Sequence, residues 1–299
     1  MMKSLKTTLA TAASGLVLML AAPAMAETPA VPAGPALWKV ADADTTIYLF
    51  GTVHVLPDGK NWFTPTIETA LDSSDMLVTE IPSGPETDAR TLQLVNELGM
   101  LPEGTTLRSL MTEEQRANYE AALGGLGVPP EAFDAYEPWL ATINLSILPL
   151  ILQGYQIDKG VEEVLEVEAD KAIERGALET IEFQMGIFDS GSLQDQLAYL
   201  DTAASDVDKV TPMLNAMVDE WIEGDADGLA AIMNESLAET PAMAETLLYN
   251  RNANWAEWIE ARLEQPGTVF VAVGAGHLAG ERSVQDYLAQ RGITTDRVQ

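Results

Sequence analysis

Only two histidines occur in this chain, and both sit in the same local frame. Near one end the run Ile47-Tyr48-Leu49-Phe50-Gly51-Thr52-Val53-His54-Val55 aligns with Phe270-Val271-Ala272-Val273-Gly274-Ala275-Gly276-His277-Leu278 near the other. In each, an apolar run of strand character ends in Gly, and His follows three residues later beside an apolar neighbour. With Gly at about 7% of residues, chance places Gly three positions before both histidines in roughly 0.5% of cases. The matching strands lower that further. Ligand sites in open α/β sheets lie just beyond the carboxyl ends of strands. A glycine there permits a sharp turn and close approach of a ligand to the backbone. Two parallel neighbours built this way direct both imidazoles into one crevice, which requires the two ends of the chain to meet in one sheet.

The remaining pattern agrees with that requirement. Residues 38–40, 45–50, 76–81 and 268–273 are short, apolar or β-rich runs closed by turn residues, and 294–298 reads as a final edge strand. The middle is helical by pattern. Thr112 with Gln115 forms a capping box, Pro138 opens a buried helix running to Leu152, and 161–175 reads as an amphipathic helix stopped by Gly176. Further helices are expected over 64–73, 205–223, 225–235, 240–263 and 280–290, and one more strand over 177–183. The expected fold class is mixed α/β: a central mixed sheet formed by the N- and C-terminal segments, with a helical insertion over about 84–263 packed across it. Residues 36–299 then form a single domain.

Residues 1–26 read as an export signal, with Lys3 and Lys6 ahead of an apolar run and Ala24-Met25-Ala26 as the small-residue cleavage site. Residues 27–35 read as a flexible linker. The expected location is the periplasm, and no transmembrane segment is expected in the mature chain. The balance of 46 Asp and Glu against 16 Lys and Arg, a formal charge of −30, argues against nucleic-acid and anionic-membrane partners. Because 47% of residues are hydrophobic, that charge does not imply disorder. The absence of cysteine removes thiol catalysis and thiolate-ligated zinc.

Two imidazoles need a carboxylate to complete a hydrolytic metal site. Glu80 is the best candidate, because it ends the buried-looking strand Leu77-Val78-Thr79 at a place equivalent to Gly51. There it would ligate a metal or act as general base. Glu179 is a second choice among many acids. Competing motifs fail: the glycines after Val273 lack the spacing and the following βα unit of a dinucleotide site, and G-x-S-x-G and H-E-x-x-H are absent.

At these residues the chain resembles the TraB/GumN family, which includes PrgY-like proteins and the Tiki metalloproteases. The segments that carry the resemblance are Leu49 to His54, Leu77 to Ile81, Pro138-Trp139, Leu178 to Gln184, Arg251-Asn252 with Trp255, and Val271 to Gly280. The resemblance implies a fold related to erythromycin esterase-like and ChaN-like proteins. In the Tiki branch it implies a peptidase dependent on a divalent cation such as manganese or cobalt; a set of two histidines and one carboxylate also suits zinc. Residue by residue it points to His54, Glu80 and His277 as ligands and catalytic groups, with motif glycines Gly51 and Gly274, and brings in Arg251 and Asn252 beside Glu179. The expected function is an exported metal-dependent hydrolase, a peptidase acting on a peptide or small protein. Two alternatives stand beside it: a protein that sequesters a peptide or a metal–porphyrin ligand, and an ester or lactone hydrolase.

Overall fold

The computed structural model describes residues 33–237 and 241–299. The expected export signal and all but the last three residues of the expected linker lie outside the described residues. In chain order the strands are β1 (Leu37–Ala41), β2 (Thr45–Thr52), β3 (Leu56–Pro57), β4 (Met76–Thr79), β5 (Tyr155–Gln156), β6 (Glu174–Ala177), β7 (Gly267–Gly274) and β8 (Asp296–Arg297). The helices are α1 (Pro65–Asp72), α2 (Pro85–Leu98), α3 (Leu107–Leu110), α4 (Glu113–Gly125), α5 (Pro138–Leu152), α6 (Val161–Glu168), α7 (Ile181–Asp189), α8 (Leu193–Ser205), α9 (Val210–Glu223), α10 (Ala226–Leu237), α11 (Pro241–Ala244), α12 (Asn250–Arg262) and α13 (Val284–Gln290).

Six strands form the main sheet in the order β6-β4-β7-β2-β1-β8. The first four run parallel; β1 is antiparallel to both β2 and β8. The two chain ends therefore do meet: β7 pairs with β2 from Thr45↔Gly267 to Thr52↔Gly274 and with β4 from Met76↔Val269 to Thr79↔Ala272. Helices cover both faces, so the central strands are nearly continuous apolar runs. Alternation still assigns the faces. Leu37, Phe50, Leu77 and Phe270 pack with Trp62, Leu165 and Trp221 on one side. Ile47, Leu49, Val78, Val269, Val271 and Val273 pack with Trp255, Ile259 and Leu288 on the other. A separate helical core, including Leu107, Tyr119, Leu145, Leu197 and Leu200, lies within α3, α4, α5 and α8.

The middle of the chain departs from expectation in three places. The helix expected over 161–175 stops at Glu168, and the chain turns to deliver β6, Glu174–Ala177, which starts three residues before the strand expected over 177–183. Residues 181–189 are helical instead, because Thr180 caps α7 by accepting the Phe183 N–H. Part of the expected insertion thus belongs to the sheet: β6 pairs in parallel with β4. At the other end, α13 begins at Val284 rather than near 280. Ser283 caps it through the Asp286 N–H.

Candidate functional site

The carboxyl ends of β4, β7 and β2 lie side by side, and each delivers one expected residue. Glu80 follows Val78 by two positions and so faces α12. β7 runs into a 3₁₀ turn, Ala275–Leu278, that carries His277. β2 runs out through Thr52 and Val53 to His54. Neither motif glycine adopts positive φ. Their absent side chains matter through close approach. A Cβ on Gly51 would stand 2.9 Å from the Ala275 Cα, where the 3₁₀ turn crosses the end of β2. A Cβ on Gly274 would stand 3.2 Å from Glu80 Oε1, which accepts the Gly274 N–H at 2.8 Å.

Glu80 and His277 come together. Both are buried, and Oε1 of Glu80 is 3.7 Å from Nε2 of His277. Helix α12 supplies the rest of the cluster, because its buried face presents Arg251, Asn252, Trp255 and Ile259. The Arg251 guanidinium donates to Glu80 Oε2 at 2.6 Å and grips Glu179 through Nε and Nη2 at 2.8 and 2.9 Å. Trp255 Nε1 donates to Glu179 at 2.9 Å, and Gln184 Nε2 donates to Glu80 Oε2 at 3.1 Å. The Trp255 ring lies 4.3 Å from the His277 ring.

The protonation pattern follows from these contacts. Asn252 Nδ2 donates to the Arg282 carbonyl at 2.8 Å, which turns its Oδ1 toward His277 Nδ1 at 2.5 Å. That nitrogen must therefore carry the proton, and Nε2 is left with a bare lone pair that accepts from Arg251 Nη1 at 3.3 Å. Burial pushes the His277 pKa down to about 3, against the pull of Glu80. Burial alone would raise Glu80, but the neighbouring cationic groups and the Gly274 N–H outweigh it and hold the carboxyl at about 2. With His277 neutral, Arg251, the protonated His54 and the Gly274 N–H carry that depression.

His54 occupies a different environment. Its side chain is 71% exposed, and its Nδ1 donates to Glu162 Oε1 at 2.7 Å. The Glu162 charge and this hydrogen bond raise the His54 pKa to about 9. Burial would raise Glu162 too, but His54 and the Thr52 hydroxyl, 2.6 Å away, hold it low. Glu162 sits in the first turn of α6, where the helix N-terminus favours a carboxylate. Gly160 lets that turn press against the loop, since a Cβ there would stand 2.3 Å from the His54 carbonyl oxygen. Sequence reasoning missed Glu162, Gln184 and Trp255 as site residues. Glu162 is one of several acids in α6 and carries no distinguishing local signal, whereas Gln184 and Trp255 lie within the segments that carried the family resemblance.

The donor chemistry suits a divalent cation. His277, anchored through Nδ1, keeps Nε2 unprotonated for a ligand, whereas His54, held protonated by Glu162, would have to give up a proton to ligate. Two buried carboxylates, Glu80 and Glu179, share one guanidinium, so the cluster carries unbalanced negative charge. The spacing is open, however: among the described residues no group of three or more His, Cys, Asp or Glu side chains stands together as a metal site. Among the described residues, no helix is long and apolar enough to cross a membrane.

A model of the TraB/PrgY/gumN family matches residues 36–297. Similar curated proteins include an uncharacterised protein of Treponema pallidum (strain Nichols), 25% identical over 275 residues that cover 86% of this chain and 80% of that one. Another is YbaP of Escherichia coli (strain K12), also described as uncharacterised. It is 22% identical over 255 residues covering 85% and 92% of the two chains. YbaP of Shigella flexneri is 22% identical over 242 residues, covering 81% and 87%. No solved structure matches the chain.

Proposed function

From the premise that this chain belongs to the TraB/PrgY/gumN family, we propose that it is an exported, metal-dependent hydrolase acting on a peptide or small protein. The observation that carries the reading is the meeting of the two G-x-x-H strand ends beside Glu80, with His277 Nε2 bare and 3.7 Å from the carboxylate. His54, Glu80 and His277 are the residues that would hold a manganese, cobalt or zinc ion. Such an ion would polarise the scissile carbonyl and lower the pKa of a water. A carboxyl held at about 2 is a poor proton acceptor at neutral pH, so Glu80 serves better as a ligand than as general base. His277 is neutral at physiological pH and needs to lose no proton to ligate. Arg251, fixed by Glu179, orients Glu80 and places positive charge where a substrate oxyanion would develop.

A second reading has its own support. Arg251 already contacts both Glu80 Oε2 and His277 Nε2, so a guanidinium supplies positive charge between two of the expected ligands. That arrangement favours an ester or lactone hydrolase working without a resident metal. The deciding experiment is elemental analysis of the purified mature protein, followed by turnover of peptide and ester libraries with and without chelator. Chelator-sensitive peptide turnover, abolished by Glu80→Gln, supports the first reading. Chelator-insensitive ester turnover supports the second. Stoichiometric metal or tight peptide binding with no turnover of either library would refute both and favour sequestration.

A further inference from the structure

Arg282 is the single non-glycine residue with positive φ among the described residues, at 59°. Side chains with a Cβ resist that region, so something must hold the residue there. Its guanidinium is clamped by Glu245 at 2.5 and 2.8 Å, lies 3.9 Å over the Tyr249 ring, and donates through Nε to the Tyr287 hydroxyl at 3.2 Å. Its own N–H donates to Asp286 Oδ2 at 2.7 Å. Glu245 and Tyr249 begin and end a π-helical stretch, Glu245–Tyr249, that leads directly into α12. The Arg282–Glu245 pair is 43% and 47% exposed, and surface ion pairs of that kind contribute little to stability. Stability therefore does not explain a strained arginine held from four sides.

The carbonyl of Arg282 supplies an explanation. It accepts from Asn252 Nδ2, and this bond alone decides which end of the Asn252 amide faces His277. We propose that Arg282 is a positioning residue for His277. Its clamped side chain holds the backbone in the left-handed conformation, the carbonyl then fixes the Asn252 amide, and the amide, together with the Arg251 Nη1 donor on the other ring nitrogen, fixes the proton of His277 on Nδ1. Nε2 is thereby kept bare toward Glu80 and Arg251. Were the peptide at Arg282 to relax, the amide would be free to flip, its NH2 would face Nδ1, and the proton would move to Nε2. The inference rests on His277 being a working group of the site.

The test reads the ring itself. In chelator-treated, 15N-labelled His54→Ala protein, His277 is the one imidazole left, and two-bond 15N–1H spectra report which nitrogen carries the proton. The parent is expected in the Nδ1–H form. Asn252→Ala and Arg282→Ala should each shift the ratio measurably toward the Nε2–H form, against the Arg251 donor that remains on Nε2. Arg282→Gly adopts the same φ without strain and should retain more Nδ1–H than Arg282→Ala. Glu245→Gln loosens the clamp while leaving Arg282 in place, and should shift the ratio in the same direction should Arg282→Ala fail to fold. An Nε2–H ring in the parent overturns the proposal. So does an unchanged Nδ1–H ring in Arg282→Ala or, where that variant does not fold, in Glu245→Gln. A change confined to Asn252→Ala assigns the positioning to Asn252 and removes Arg282 from it. These spectra do not depend on turnover, so a protein that hydrolyses nothing would defeat the functional reading and leave this result standing.

Discussion

Replacing Arg251 with Met tests whether the centre is an ion cluster or a set of incidental contacts. The guanidinium is 8% exposed and serves Glu80 and Glu179, themselves 10% and 5% exposed. Deleting it leaves two buried carboxylates facing each other with only neutral donors, Trp255 Nε1, Gln184 Nε2 and the Gly274 N–H. Removing one partner of a buried pair costs about 3–5 kcal/mol. For a domain of this size each kcal/mol lowers Tm by about 2–4 °C, so Arg251→Met should melt roughly 6–20 °C below the parent. The pH dependence supplies a sharper criterion. In the parent, Glu80 has a folded pKa of about 2 against an ordinary 4.5. Its contribution is therefore fully present above 4.5 and is lost as pH falls toward 2, about 3 kcal/mol in all. His277, at about 3 against 6.5, acts with the same sign between 6.5 and 3. In the variant, burial without the guanidinium raises the Glu80 carboxyl above its unfolded value, so protonation stabilises the fold. Urea titrations at pH 7.5 and pH 5 should show the gap between parent and variant narrowing in acid. A gap under about 1 kcal/mol, or one independent of pH, would refute the assignment of a buried cluster.

Three further outcomes follow from other parts of the molecule. Gly51→Ala forces a Cβ within 2.9 Å of the Ala275 backbone. It should cost about 1–3 kcal/mol and displace the His277 turn, read by thermal melts and by the His277 imidazole resonances. His54→Ala removes the partner of Glu162, a largely exposed pair that contributes about 0–1 kcal/mol, so Tm should fall by no more than about 4 °C, while metal occupancy falls in equilibrium dialysis; unchanged occupancy removes His54 from the ligand set. N-terminal sequencing of protein released by osmotic shock should begin at Glu27, and recovery of intact Met1 in the cytoplasm would sink the export reading.

The site was legible where strand geometry determines it. Two apolar runs ending in Gly-x-x-His had to lie side by side for either to make sense, and β2 and β7 pair along their whole length. Glu80 followed from its place at the end of a strand. What strand geometry does not determine is the company these residues keep. Glu162 is indistinguishable by pattern from Glu163 or Glu166, and only the packing of α6 against the His54 loop selects it. Trp255 and Gln184 reach the cluster from helices whose rotation is decided by burial on the sheet. The motif glycines were expected to allow a sharp turn and close approach to the backbone; neither has positive φ, and what approaches is Ala275 at Gly51 and Glu80 at Gly274. The strand expected over 177–183 was displaced because Thr180 caps a helix, a local signal overridden in the reading by the apolar run around it.

The position of β7 governs how this protein comes into being. It is the central parallel strand, between β4 and β2, yet it is synthesised long after both, beginning at Gly267 against Thr45 for β2 and Met76 for β4. Until it arrives, β2 and β4 each present an unsatisfied apolar edge, and no sheet can close between them. Such long-range parallel pairing makes for slow folding and an interval of exposure to aggregation. The same order confers a safeguard. His277, the Gly274 donor to Glu80 and the turn that covers β2 all travel with β7 or directly behind it. A chain stalled or truncated before Gly267 cannot assemble the centre at all.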